Sequence, residues 1–189
     1  MSRRTAVAGI CVLIVLSACG PSSTKPVLSE GGEDSLMLSA QAVPDATMLP
    51  CVAALPVGWS FAGFSATTGS VRFWMDSGAA GVHALEVELS EDCDTSDAVE
   101  VEPGPDGVRR FEQPLTQEPE LSGYRYSRFT GGCVTLRYDF RRGTGAAQLD
   151  EIANSVMLVP RSALVRALEE NRDLLLCGAG APPCAGASD

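Results

Sequence analysis

The chain of 189 residues has a single histidine, His83, and a single lysine, Lys25. One imidazole excludes multi-histidine metal centres, and without a Cys-x-x-Cys pair the common thiolate zinc motifs are excluded as well. No glycine-rich phosphate loop occurs, and no motif implies a cofactor. No apolar run approaches the roughly 20 residues that a helix needs to cross a bilayer. Positive charge is also scarce: 14 basic residues stand against 24 acidic ones, for a net charge of −10. Such a surface repels polyanions, so no nucleic-acid partner is expected. Internal repeats are absent.

What is present begins at the N-terminus. Arg3 and Arg4 precede an uncharged run over 5–18, which has the length of a signal-peptide core. The run ends in Leu16-Ser17-Ala18-Cys19. This pattern of a leucine, two small residues and a cysteine resembles the lipobox of bacterial lipoproteins. The resemblance implies that 1–18 is a lipoprotein signal peptide and that Cys19 becomes a lipid-bearing N-terminus. It implies attachment to the membrane through lipid at the outer face of the cytoplasmic membrane, in the extracytoplasmic space. Ser2-Arg3-Arg4 partly matches a twin-arginine signal, but Ala6 and Val7 replace its bulkier residues, which favours general secretion. Loss of 1–18 would remove Arg3 and Arg4 and no acid, leaving 12 basic against 24 acidic residues and a charge of −12.

The stretch after Cys19 is rich in Pro, Gly and Ser, and 19–50 is expected to be a flexible tether, with Leu36–Leu49 irregular or a short helix that ends at Pro50. The remainder is long enough for one domain with a core, placed at 51–176, followed by an Ala/Gly/Pro-rich tail at 177–189. Within the domain, Pro56-Val57-Gly58-Trp59 predicts a turn that delivers Trp59 and Phe61 to the core. Alternation predicts strands at Val71–Asp76 and Val82–Leu89, the latter with Leu85, Val87 and Leu89 inward and Ala84, Glu86 and Glu88 outward. A short strand near Ala98–Val101 follows, then an edge strand over Val108–Gln113 that stops at Pro114. Tyr124–Phe129 and Cys133–Phe140 flank Thr130-Gly131-Gly132 as a hairpin. The period then becomes helical: Ala146–Leu158 is predicted as one helix and Pro160 to about Glu170 as a second, with a last strand at Arg172–Cys177. Strands followed by helices give an α+β fold, an antiparallel sheet of about five strands with two C-terminal helices packed on one face.

The segments Asp92-Cys93-Asp94-Thr95, Phe129-Thr-Gly-Gly-Cys133-Val-Thr and Leu158-Val159-Pro160-Arg161 resemble uncharacterised exported proteins of high-GC Gram-positive bacteria. This likeness implies that 51–176 is a recurring unit and carries no activity with it.

Seven cysteines are present. Cys11 lies in the signal and Cys19 in the lipobox, which leaves Cys51, Cys93, Cys133, Cys177 and Cys184. An oxidising compartment makes disulfides the default. Cys93 and Cys133 both lie at strand ends, so Cys93–Cys133 is the first bridge expected. Cys51–Cys177 would staple the ends of the domain, whereas Cys177–Cys184 would close only a local loop. Five is odd, so one thiol stays free or pairs between molecules.

Catalytic signals are weak. A Ser-His-Asp triad would have to use His83, yet its phase with Leu85 and Val87 favours a half-buried structural residue. Gly63-Phe64-Ser65-Ala66-Thr67 resembles a nucleophile elbow without its second glycine. Asp92, Asp94, Ser96 and Asp97 begin like a calcium loop, but the expected glycine is Asp97 and the closing glutamate is Pro103. Trp59, Phe61, Phe64, Phe73 and Trp74 favour core over a ligand groove, except for Trp74, which is out of phase with its strand. No catalytic and no metal residues are assigned. The expectation is a non-enzymatic, lipid-anchored envelope protein that binds a protein or small ligand, with a secreted hydrolase-like enzyme using His83 as the alternative.

Overall fold

A computed structural model of the chain describes residues 32–52, 54–117, 119–141, 144–172 and 176. The signal peptide, Cys19, Cys177, Cys184 and the tail lie outside the described residues. Among the described residues no helix is long and apolar enough to cross a membrane.

The domain begins earlier than composition predicts. Helix α1 (Gly32–Ala42) and strand β1 (Met48–Val52) occupy much of the stretch expected as tether. Leu36, Ala40 and Val43 share one helical face and are buried, as are Ala46 and Leu49 beyond it. The stripe is built mostly of small residues, and buried Ser39 completes it by donating to the Ser35 carbonyl at 2.7 Å. Serine and alanine here pack against a core, whereas their composition reads as linker.

The main sheet follows as β2 (Trp59–Thr67), β3 (Ser70–Ser77), β4 (Gly81–Ser90), β5 (Val99–Glu100), β6 (Arg109–Thr116), β7 (Leu121–Phe129) and β8 (Gly132–Phe140). Helix α2 (Ala146–Ser155), strand β9 (Val156–Pro160) and helix α3 (Arg161–Arg172) are the last elements among the described residues. The spatial order is β2-β3-β4-β8-β7-β6-β5, every pair antiparallel, and β1 and β9 form a separate two-stranded ribbon. The fold is thus α+β as expected, with seven strands in the large sheet, a ribbon and three helices rather than five strands and two helices.

Two elements escape the expected pattern for local reasons. In β2 a bulge between Phe61 and Gly63 breaks the two-residue period, so that Phe61 pairs with Met75 and Phe64 with Phe73 on one face although three residues separate them. The expected turn at 56–59 is present, closed by the Trp59 amide donating to the Pro56 carbonyl at 3.1 Å, and the strand it leads into is the element that the pattern misses. At the other end, the helix predicted over 146–158 stops at Ser155, whose hydroxyl donates to the Ile152 carbonyl at 2.7 Å. The next five residues, Val-Met-Leu-Val-Pro, pair with β1 from Val52↔Val156 to Met48↔Pro160. The second helix accordingly starts at Arg161 and runs through Arg172, where a last strand is expected to begin.

One core joins the inner sheet face to the helices. Phe73, Val87, Leu89, Val134 and Phe140 meet Leu149 and Ile152 of α2, Leu168 of α3 and the buried face of α1. Cys51 is buried in the same core. Burial of each large apolar side chain contributes about 1.5–3 kcal/mol. A smaller cluster on the outer sheet face gathers Phe111, Tyr126 and Cys133, with Cys93, Ala98 and Tyr124 against it.

Candidate functional site

The inner sheet face changes character from one edge to the other. Along one register row, Phe73, Val87 and Leu136 give way to Arg125 and Glu112; along the next, Leu89 and Val134 give way to Ser127 and Arg110. The apolar part meets the helices. The polar part floors a groove of about 500 Å³. Met48 of β1 and Val156, Met157 and Leu158 of β9 form one wall; Val101, Glu102, Pro105 and Val108 form the other. That volume lies in the range of small-molecule and peptide sites.

Two arginines shape the floor. Arg125 donates to Asp150 of α2 at 2.7 Å and lies 3.1 Å from Glu112, so it ties the floor to the helix. Arg110 is exposed and lies across Gly104, where a Cβ would meet its Nε at 2.8 Å. Only glycine lets the guanidinium rest there. Among the described residues Arg110 forms no ion pair, in contrast to Arg72, Arg109, Arg125, Arg128 and Arg137.

The expected disulfide joins Cys93 to Cys133. It fastens the acidic loop over the outer cluster, where the Tyr126 hydroxyl donates to Gln113 at 2.9 Å. Burial raises the pKa of Tyr126. The loop carboxylates are engaged locally. Asp92 accepts from the Cys93 amide and from Arg128, and Asp94 accepts from the Ser96 amide, which holds its pKa below the usual range. Among the described residues no group of three or more His, Cys, Asp or Glu could hold a metal. Cys51 is a buried free thiol, and burial pushes its pKa up to about 11.

His83 differs from its expected half-buried place. The irregularity opposite Met75 and Ser77 shifts the phase of β4, so Ala84 is buried and His83 is exposed with φ of 48°. Its amide donates to Asp76 at 2.7 Å, and its ring stacks on Trp74 with centroids 5.8 Å apart. Among the described residues the imidazole makes no hydrogen bond. Ser65 sits inside the β2–β3 hairpin opposite Arg72, not on a strand-to-helix turn, so the elbow-like run has no such geometry. Trp59, Phe61, Phe64 and Phe73 pack on the core, whereas Trp74 stands on the outer face over Gly63.

The groove itself is missed in the sequence. Its one signal is Val156-Met157-Leu158-Val159, four consecutive apolar residues with β-branched ends just before a proline, which suit a strand better than the end of a helix. Comparison with protein-family models, with curated proteins and with solved structures gives no match.

Proposed function

We propose that this protein is a lipid-anchored, non-enzymatic envelope protein whose domain binds a ligand in the groove between β9 and the β6–β7 floor. The observation that carries the binding reading is the groove, an open trough in which apolar walls meet a floor with an unpaired guanidinium. Leu16-Ser17-Ala18-Cys19 supports the anchor. Two or more acyl chains on Cys19 would hold the protein stably, where one would be marginal. The anionic domain would then stand away from an anionic lipid surface.

The hydrolase reading through His83 draws less support. A nucleophile needs its hydroxyl or thiol within hydrogen-bond reach of the base. The imidazole instead stacks on Trp74, and the neighbouring carboxylate of Asp76 is occupied by the His83 main chain.

One preparation tests both parts. Full-length protein extracted from its native membrane in detergent should show, by intact mass, a polypeptide that begins at Cys19 and carries lipid. Native mass spectrometry of the same sample should show a bound ligand that is lost when Leu136→Trp fills the groove floor. An unmodified Cys19 would defeat the anchor, and a ligand retained by the Leu136→Trp protein would defeat the groove.

A further inference from the structure

Among the described residues the strand edges are protected, with one exception. Edge strand β2 carries a bulge, β5 is only two residues long, and β6, exposed beyond it, carries Pro114 and a second bulge. Strand β1 contacts α1. Each of these is a known way to prevent one strand edge from pairing with another chain. Strand β9 has no bulge and no charge, and its one proline, Pro160, stands at its end, so Val156–Val159 keeps a regular edge. Among the described residues it pairs only with β1, and it leaves Met157 41% exposed.

The free edge of β9 borders the groove. Side chains of a strand alternate between faces, so a surface lined by three consecutive residues, Val156, Met157 and Leu158, is approached along the strand's edge. The β1–β9 register and the bond from the Arg161 amide to the Thr47 carbonyl turn the main-chain groups of Val156, Leu158 and Pro160 away from β1. The Val156 amide is bonded to the Ala153 carbonyl and Pro160 has no N–H, so the Leu158 amide and the carbonyls of this set look onto a trough whose floor holds the unpaired Arg110. An acyl chain would satisfy neither the strand edge nor the floor groups Ser127 and Glu112, and desolvating polar groups without new partners is costly. An extended peptide would satisfy both. Its main chain can continue the β1–β9 ladder while alternate side chains face the floor.

We infer that the groove receives an extended segment of a partner protein as a third strand on β9, with a carboxylate of that segment paired to Arg110. This rests on the groove reading above and specifies its ligand.

The test uses the purified full chain and a library of random linear heptapeptides with free carboxyl termini, displayed for selection and then synthesised. Selected peptides should carry an acid at one fixed position or end. N-methylation of alternate amides in one phase should weaken binding about tenfold, and in the other phase should not, because only one set faces the ladder. The Leu158 amide, which points away from β1, should exchange more slowly when peptide is bound. Arg110→Ala should lower affinity about tenfold for the acidic peptide and leave its amide analogue unchanged. Equal binding of both N-methylated forms would overturn the inference. So would a Leu158 amide already protected in the free protein, with sedimentation telling a second copy from an internal segment. If no peptide is selected but lauric acid binds and is excluded by Leu136→Trp, the strand inference fails and the groove stands. If neither binds, both fail.

Discussion

Arg161 donates from Nη1 to the carbonyl of Ala40 at 2.7 Å across 121 residues of sequence, and lies 3.5 Å from that of Val43. The guanidinium is buried, 1% exposed, at the C-terminal end of α1. That helix has no basic residue in its own last turn, so the first residue of α3 supplies the positive charge its carbonyls favour. Burial lowers the pKa of Arg161, and the charge of Asp45 opposes that shift. The same residue fixes the 45–47 segment, because its amide donates to the Thr47 carbonyl at 2.8 Å.

Removing this guanidinium should therefore weaken the hold on the N-terminal helix without undocking it. Arg161→Met is expected to cost about 3 kcal/mol, since it strands terminal carbonyls in the core. Urea denaturation should show a lower midpoint with an unchanged slope. A change within about 0.5 kcal/mol would mean that α1 is held without this contact.

The Cys93–Cys133 bridge spans 40 residues. Constraining a loop of that length stabilises by about 3–4 kcal/mol in the chain-entropy description. Reduction, or the double substitution Cys93→Ala with Cys133→Ala, should lower stability by that order and loosen the outer cluster around Phe111 and Tyr126. Tyrosine fluorescence and urea midpoints would report it. Unchanged midpoints would show that the loop is held by Arg128–Asp92 and packing alone.

Gly131 sits in the β7–β8 turn at φ of +74°, and a Cβ there would overlap the Asp45 carbonyl. Gly131→Ala combines a left-handed backbone with that overlap and should cost about 2 kcal/mol or more. Gly107 has a similar φ of +76° with open space around it, so Gly107→Ala should cost about 1 kcal/mol. The gap between the two variants in thermal melts measures the contact between the hairpin and the 45–47 segment.

Cys51 gives a pH signature. Its thiol titrates near 9.0 when unfolded and at about 11 when folded, because burial disfavours the thiolate. The folded state then holds a proton that the unfolded state releases. The contribution is complete below pH 9 and is lost as pH rises toward 11. Its size is on the order of 2 kcal/mol. The stability difference between wild type and Cys51→Ala should move against wild type by that amount across the window. A constant difference would show that Cys51 is not a buried free thiol.

Much of the sheet is legible in the sequence because β3, β8 and β4 from Leu85 onward alternate around Phe73, Leu136 and Val87, and the Gly131-Gly132 turn marks β7 as the partner of β8. The disulfide is legible because both cysteines fall at strand ends. Other features depend on contacts that local pattern does not encode. The face of α1 is hidden by Ser39 and Ala40, which have the composition of a linker. Strand β2 is hidden by its bulge. The exposure of His83 follows from a register break opposite Ser77. The groove is hidden most deeply, since its floor is set by which β6 and β7 residues the helices leave uncovered, and its wall by a strand that reads as the end of α2.

The central claim is that a ligand in the native envelope occupies the β9 groove. A photo-crosslinking amino acid placed at Met157, with matched probes at Val57 and Val82 on exposed surface away from the groove lining, tests it directly. Adducts should form from position 157, fall when Leu136→Trp fills the floor, and be absent from 57 and 82. Adducts from 57 or 82 with none from 157 would place the binding surface elsewhere and contradict the account.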